Sequence, residues 1–63
     1  MPDKYRVKVY NKLYDTWRID MVYKDQWSAV QHADHQHAIH HVPVRVEKLH
    51  DNGKITVIYQ TNH

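Results

Sequence analysis

Cysteine is absent from this 63-residue chain, which excludes disulfides, thiolate metal sites and thiol catalysis. Any metal would have to come through His, Asp and Glu. Phenylalanine is absent as well, so core volume rests on two Trp, five Tyr and the Val and Ile residues. Gly53 is the only glycine, which leaves no glycine-rich phosphate loop. No apolar run approaches the roughly 20 residues that a membrane-spanning helix requires. Met1-Pro2-Asp3-Lys4 lacks the apolar segment of a signal peptide. Together with the missing cysteines, this reads as a soluble, cytoplasmic chain. Charge of one sign is also scarce. Lys and Arg number nine against seven Asp and Glu, for a net charge of +2 with neutral histidines. That excess permits nucleic-acid binding without arguing for it.

The length corresponds to one domain, residues 1–63. A domain this small buries only about 60% of its unfolded surface, so every buried side chain matters. Tyr5-Arg6-Val7-Lys8-Val9-Tyr10 alternates large apolar and charged residues, and Trp17 to Tyr23 does the same. Period two with β-forming residues predicts strands. Asn11 and Asp15 in the connection favour a turn, giving a hairpin over 5–23. The period then lengthens. Asp25 or Ser28 can cap a helix over 26–40, and Pro43 disfavours helical geometry at Val42. A second hairpin is expected over 44–60, turning at Asn52-Gly53, with Gln60 to His63 fraying.

Pairing within the second hairpin can be argued from side-chain faces. A two-residue turn at Asn52-Gly53 pairs Val46 with Tyr59 and gathers Val44, Val46, Ile55, Val57 and Tyr59 on one face. A three-residue turn would set Val57 opposite Glu47 and split that apolar set. The first register is the consistent one, because a one-residue slip exchanges the two faces. In the first hairpin Tyr5, Val7, Val9, Trp17, Ile19, Met21 and Tyr23 share the apolar face. The predicted core is Val7, Val9, Ile19, Val30, Ala33, Val46, Val57 and Tyr59.

The β-β-α-β-β order predicts an α+β fold, one four-stranded sheet with one helix on one face. It resembles the β-grasp arrangement of small immunoglobulin-binding domains in element order and length. That resemblance implies the strand order 2-1-4-3, with the doubly apolar strand Ile55–Tyr59 in a central place; a simple meander is the alternative. It shares no motif, so it assigns no functional residue.

Five of the seven histidines fall between His32 and His41. On a helical wheel Ala29, Val30, Ala33 and His37 face the sheet, while His32 and His35 point to solvent. Asp34, His37 and His41 follow D-x-x-H-x-x-x-H, and imidazoles at i, i+4 can chelate Zn, Ni or Cu. This spacing is far less specific than paired Cys-x-x-Cys. It suits adventitious Zn or Ni binding, and no cofactor is implied. Catalysis has no supporting constellation, so no enzyme activity is expected.

One helix covers only one face of such a sheet. The open face is expected to carry Arg6, Lys8, Tyr10, Arg18, Val22, Arg45, Leu49 and Ile58, with Asp20 and Glu47 among them. An apolar centre with a charged surround suits protein contact. The expected role is therefore a small non-enzymatic interaction module that binds a protein partner or associates with itself, as in a homodimer. The alternatives are weak binding of single-stranded nucleic acid by the same basic face, and His-based metal or pH sensing. No membrane role is expected.

Overall fold

The computed structural model describes residues 3–61. Its elements are β1 (Lys4–Asn11), β2 (Thr16–Tyr23), α1 (Gln26–His40), β3 (Val44–Leu49) and β4 (Ile55–Thr61). They form an α+β fold, one antiparallel four-stranded sheet with the helix packed on one face. β4 runs through Gln60 and Thr61 where fraying is expected; Asn62 and His63 lie outside the described residues.

Strand order is β2-β1-β3-β4, which corrects both the grasp order and the meander. β3, not β4, lies beside β1. The reason is visible in side-chain demand. Val44 and Val46 are fully buried beneath the helix, paired with Val9 and Val7. On the other face Glu47 sits directly opposite Arg6 and salt-bridges to it at 3.0 Å. Apolar pairs on one face and the Arg6–Glu47 pair on the other favour this β1–β3 seam, and the like charges of Lys8 and Arg45, opposite one another, are both drawn to Glu47. The amide of Tyr10 donates to the carbonyl of Pro43 at 2.9 Å, so the ladder starts as soon as the chain leaves the helix.

The first turn is a four-residue loop, Lys12 to Asp15, closed by the Asn11–Thr16 pair. The Asn11 side chain accepts from the amides of Leu13 and Tyr14, and Asp15 takes a left-handed φ of 53°. Asn and Asp tolerate both arrangements. The second turn corrects the two-residue expectation. The amide of His50 donates to the Lys54 carbonyl at 2.8 Å, so Asp51-Asn52-Gly53 is a three-residue loop with Gly53 at φ 90°. This loop length uses a glycine in the left-handed region at its last position.

Both edge strands then contain an extra residue. In β2, Asp20 interrupts the ladder between Val7↔Met21 and Lys8↔Ile19. In β4, Ile58 interrupts it between Val46↔Tyr59 and Glu47↔Val57. Such bulges reverse the facing of every residue on one side. The three-residue turn sets Val57 opposite Glu47, 46% exposed, and the bulge at Ile58, which packs against the core, returns Tyr59 to its expected partner Val46. Ile19 pairs with Lys8 and is 49% exposed. These two residues drop out of the predicted core. The realised core is Val7, Ala29, Ala33, Val44 and Val46, with Tyr5, Val9, Tyr23, Val30, Ile58 and Tyr59 packed against it.

The helix bounds agree with the expectation. Asp25 is the cap, its carboxylate accepting from the Ser28 amide at 2.8 Å. The helix ends where His41 turns left-handed at φ 55°, its amide donating to the His37 carbonyl. No described helix is long and apolar enough to cross a membrane.

Candidate functional site: the open sheet face

Cross-strand partners share a face, so the register assigns the open side residue by residue. β1 contributes Lys4, Arg6, Lys8 and Tyr10, and β3 contributes Arg45, Glu47 and Leu49. From β2 come Trp17, Ile19 and Val22, the partners of Tyr10, Lys8 and Arg6. From β4 come Ile55, Val57 and Gln60. Of the residues expected on this face, Arg18 and Ile58 are displaced to the helix side. Arg18 pairs with Val9, and Ile58 joins the core packing. The bulges, with the three-residue loop of the second hairpin, cause both corrections, and they bring Trp17, Ile19 and Val57 outward in exchange.

Glu47 is the centre of the face and only 4% exposed. One carboxylate oxygen accepts from Arg6 Nη2 at 3.0 Å and lies 3.2 Å from Lys8 Nζ; the other lies 3.0 Å from Arg45 Nη2. A buried carboxylate is costly unless paired, and three cations from two neighbouring strands pair it. They also outnumber it. With Lys4 on the same face, the central strands carry an excess of positive charge. The Nε atoms of Arg6 and Arg45 are buried without a hydrogen-bond partner among the described residues.

Arg45 reaches across β1 to Trp17, with its guanidinium carbon 4.3 Å from the ring centroid. Tyr10 packs against the same Trp17 with centroids 5.4 Å apart and planes tilted by 59°. The Tyr10 hydroxyl donates to Asp15, which pushes its pKa above the ordinary tyrosine value. The site is thus a charged spine on β1 and β3 between two apolar rails. One rail is Trp17, Ile19 and Val22 on β2; the other is Ile55 and Val57 on β4. Ile19, Val22, Ile55 and Val57 are each about half exposed.

The histidines are distributed differently from the wheel expectation. His32 turns back to β2, where its ring contacts the Asp20 carboxylate and packs 5.6 Å from Tyr23. His35 is exposed. Asp34 accepts from the Tyr59 hydroxyl at 3.4 Å, and burial with this neighbouring carboxylate raises the Tyr59 pKa. His37 Nδ1 lies 2.9 Å from the Val42 carbonyl, which can only accept, so Nδ1 carries the proton. His41 is the left-handed cap beyond the last helical turn. Asp34, His37 and His41 are not brought together as one group. Among the described residues no three metal-capable side chains are.

A cleft of about 340 Å³ lies on the helix side, lined by Arg18, Asp20, Gln36 and His40 with the tip of the first hairpin. It is wide open to solvent and mixed in charge. Sequence reasoning missed Trp17 as an open-face residue. The only available signal was the apolar–charged alternation of β2, and that signal points the wrong way until the bulge is known. No protein-family model, curated protein or solved structure matches the chain.

Proposed function

We propose that this chain is a small non-enzymatic interaction module that engages another protein through its open sheet face. The observation that carries this reading is the exposure of four aliphatic side chains, Ile19, Val22, Ile55 and Val57, on a face the helix does not cover. Single exposed apolar residues are ordinary, and the grouping of these four in two rails on one face supports a contact surface. Aromatic and arginine side chains, enriched where proteins meet, stand among them as Tyr10, Trp17, Arg6 and Arg45.

Affinity capture from cell extract tests the reading, with Val22→Asp and Val57→Asp compared against Trp27→Asp on the helix. A partner retained by the wild type and the helix variant, and lost by both face variants, is the expected result. A partner lost only through Trp27, or indifferent to Val22 and Val57, refutes it. Sedimentation at rising protein concentration separates a foreign partner from a second copy.

A second reading, single-stranded nucleic-acid binding, is favoured by one observation: Trp17 joins Tyr10 and the basic residues on the same face. Such binding would weaken steeply as salt rises, and an apolar protein contact would not.

A further inference from the structure

We infer that the open face takes an acidic, extended polypeptide segment with the pattern apolar–x–acid–x–apolar. The inference rests on the protein-binding reading above and specifies the chemistry of the partner.

Three observations lead there. The first is charge. Among the described residues, Lys4, Arg6, Lys8 and Arg45 stand on the face against Glu47, with Asp15 at the hairpin end held by the Tyr10 hydroxyl. Two copies stacked face to face would oppose these cations with one another, which is unfavourable. A partner bearing carboxylates is complementary.

The second is unspent hydrogen-bonding capacity. Arg6 and Arg45 each give Nη2 to Glu47, and each keeps an Nε–H that is buried without a partner among the described residues. Buried donors are almost always satisfied, so an orphaned pair flanking one carboxylate asks for a second acceptor. A guanidinium offers its Nε–Nη edge to a carboxylate in a two-bond fork. An incoming carboxylate that draws the forks outward satisfies both Nε groups while Lys8 holds Glu47.

The third is spacing. The rails lie on β2 and β4, three strand intervals apart, or about 14 Å. An extended segment crossing the strands covers roughly 13 Å in four residues, with residues i, i+2 and i+4 pointing the same way. Apolar side chains at i and i+4 then reach the two rails while an acid at i+2 meets the spine.

The aromatics argue against nucleic acid as the occupant. Trp17 already has one partner in the Arg45 guanidinium and another in Tyr10, and the Tyr10 hydroxyl is held by Asp15. Base stacking needs a free ring face, whereas carboxylate recognition needs the guanidinium edges.

The test is an amide-shift NMR titration of the wild-type protein with short peptides carrying Ile-Thr-Glu-Thr-Ile, the same peptide with Gln for Glu, and a thymidine oligonucleotide. Shifts are expected at Arg6, Lys8, Trp17, Arg45 and Val57. The Gln peptide should bind roughly tenfold or more weakly, the loss typical of a charge-assisted hydrogen bond. Arg45→Gln should shrink the preference for Glu over Gln, leaving the part that Arg6 supplies; Arg45→Lys should keep more of it, since charge remains without the fork. Equal binding of the Glu and Gln peptides at this face overturns the acidic chemistry and leaves the protein-binding reading standing. Tighter binding of the oligonucleotide than of the Glu peptide at this face overturns the polypeptide assignment. Shifts confined to the helix side overturn both readings. The wild-type peptide comparison decides even if Arg45→Gln fails to fold.

Discussion

Val46 and Val57 are chemically identical residues that strict alternation would place on the same face, and the Ile58 bulge separates them. Val46→Ala removes two methyl groups from a fully buried site. At about 0.8 kcal/mol per buried carbon the transfer loss is about 1.6 kcal/mol. The cavity, roughly 50 Å³ at about 24 cal/mol per Å³, contributes about 1.2 kcal/mol more if the surroundings do not collapse. Val57 is 46% exposed and opens no enclosed cavity when truncated. Its loss is about half the transfer value, below 1 kcal/mol. The two variants should therefore differ by about 2 kcal/mol. Urea unfolding followed by far-ultraviolet circular dichroism measures this, with a constant m-value securing the comparison. A domain of this size rarely holds more than about 3–5 kcal/mol. Sulfate, which strengthens apolar burial, should be present equally in all samples so that Val46→Ala retains a folded baseline. Equal costs at the two positions would mean that Val57 is buried and that alternation runs unbroken through β4. The bulge, and the composition of the open face built on it, would then be wrong.

Glu47→Gln leaves three cations facing a neutral amide, and the loss should be roughly 3 kcal/mol, as for other buried pairs deprived of one partner; wild-type stability in urea would show that the cations are fully solvated. Asp25→Ala removes the helix cap and should cost about 1 kcal/mol, with Asp25→Asn restoring most of it; an unchanged midpoint would assign the cap elsewhere. Tyr59 has a raised pKa from burial and the nearby Asp34, so the folded state holds its proton more tightly than the unfolded state. Its contribution is fully present below the ordinary tyrosine value of about 10 and is lost as pH climbs from there through the folded value. Denaturant midpoints above that pH should fall less steeply in Tyr59→Phe than in the wild type, and parallel slopes would contradict the assignment.

Element order and bounds were legible because period two, the Asp25 cap and Pro43 are local signals. The helix agrees end for end, and the strands differ by a residue or two. Strand order was not legible. The pairing of Arg6 with Glu47 is a contact between residues 41 apart, and nothing in the apolar pattern of Ile55–Tyr59 reveals that this strand closes the edge. Face assignment failed in two places, through a bulge in each edge strand and, in the second hairpin, through the three-residue loop as well. A bulge residue such as Asp20 or Ile58 looks like any other strand residue, and its effect falls on its neighbours. Asp20 illustrates this: read as an open-face acid, it instead meets His32 on the helix. The burial of Glu47 had a weak signal in Arg6, Lys8 and Arg45, but only the register made them converge.

The β1–β3 seam also sets how the chain can fold. Each hairpin and the helix is built from contacts close in sequence, and such units form in about microseconds. The seam pairs the two hairpins beneath the helix, and Val7, Val9, Val44 and Val46 find their burial only when it closes. Loop-closure entropy is lost before that burial is gained. The seam is thus the expected nucleus of the transition state, and neither half separated from the other retains the ladder that would hold its core together.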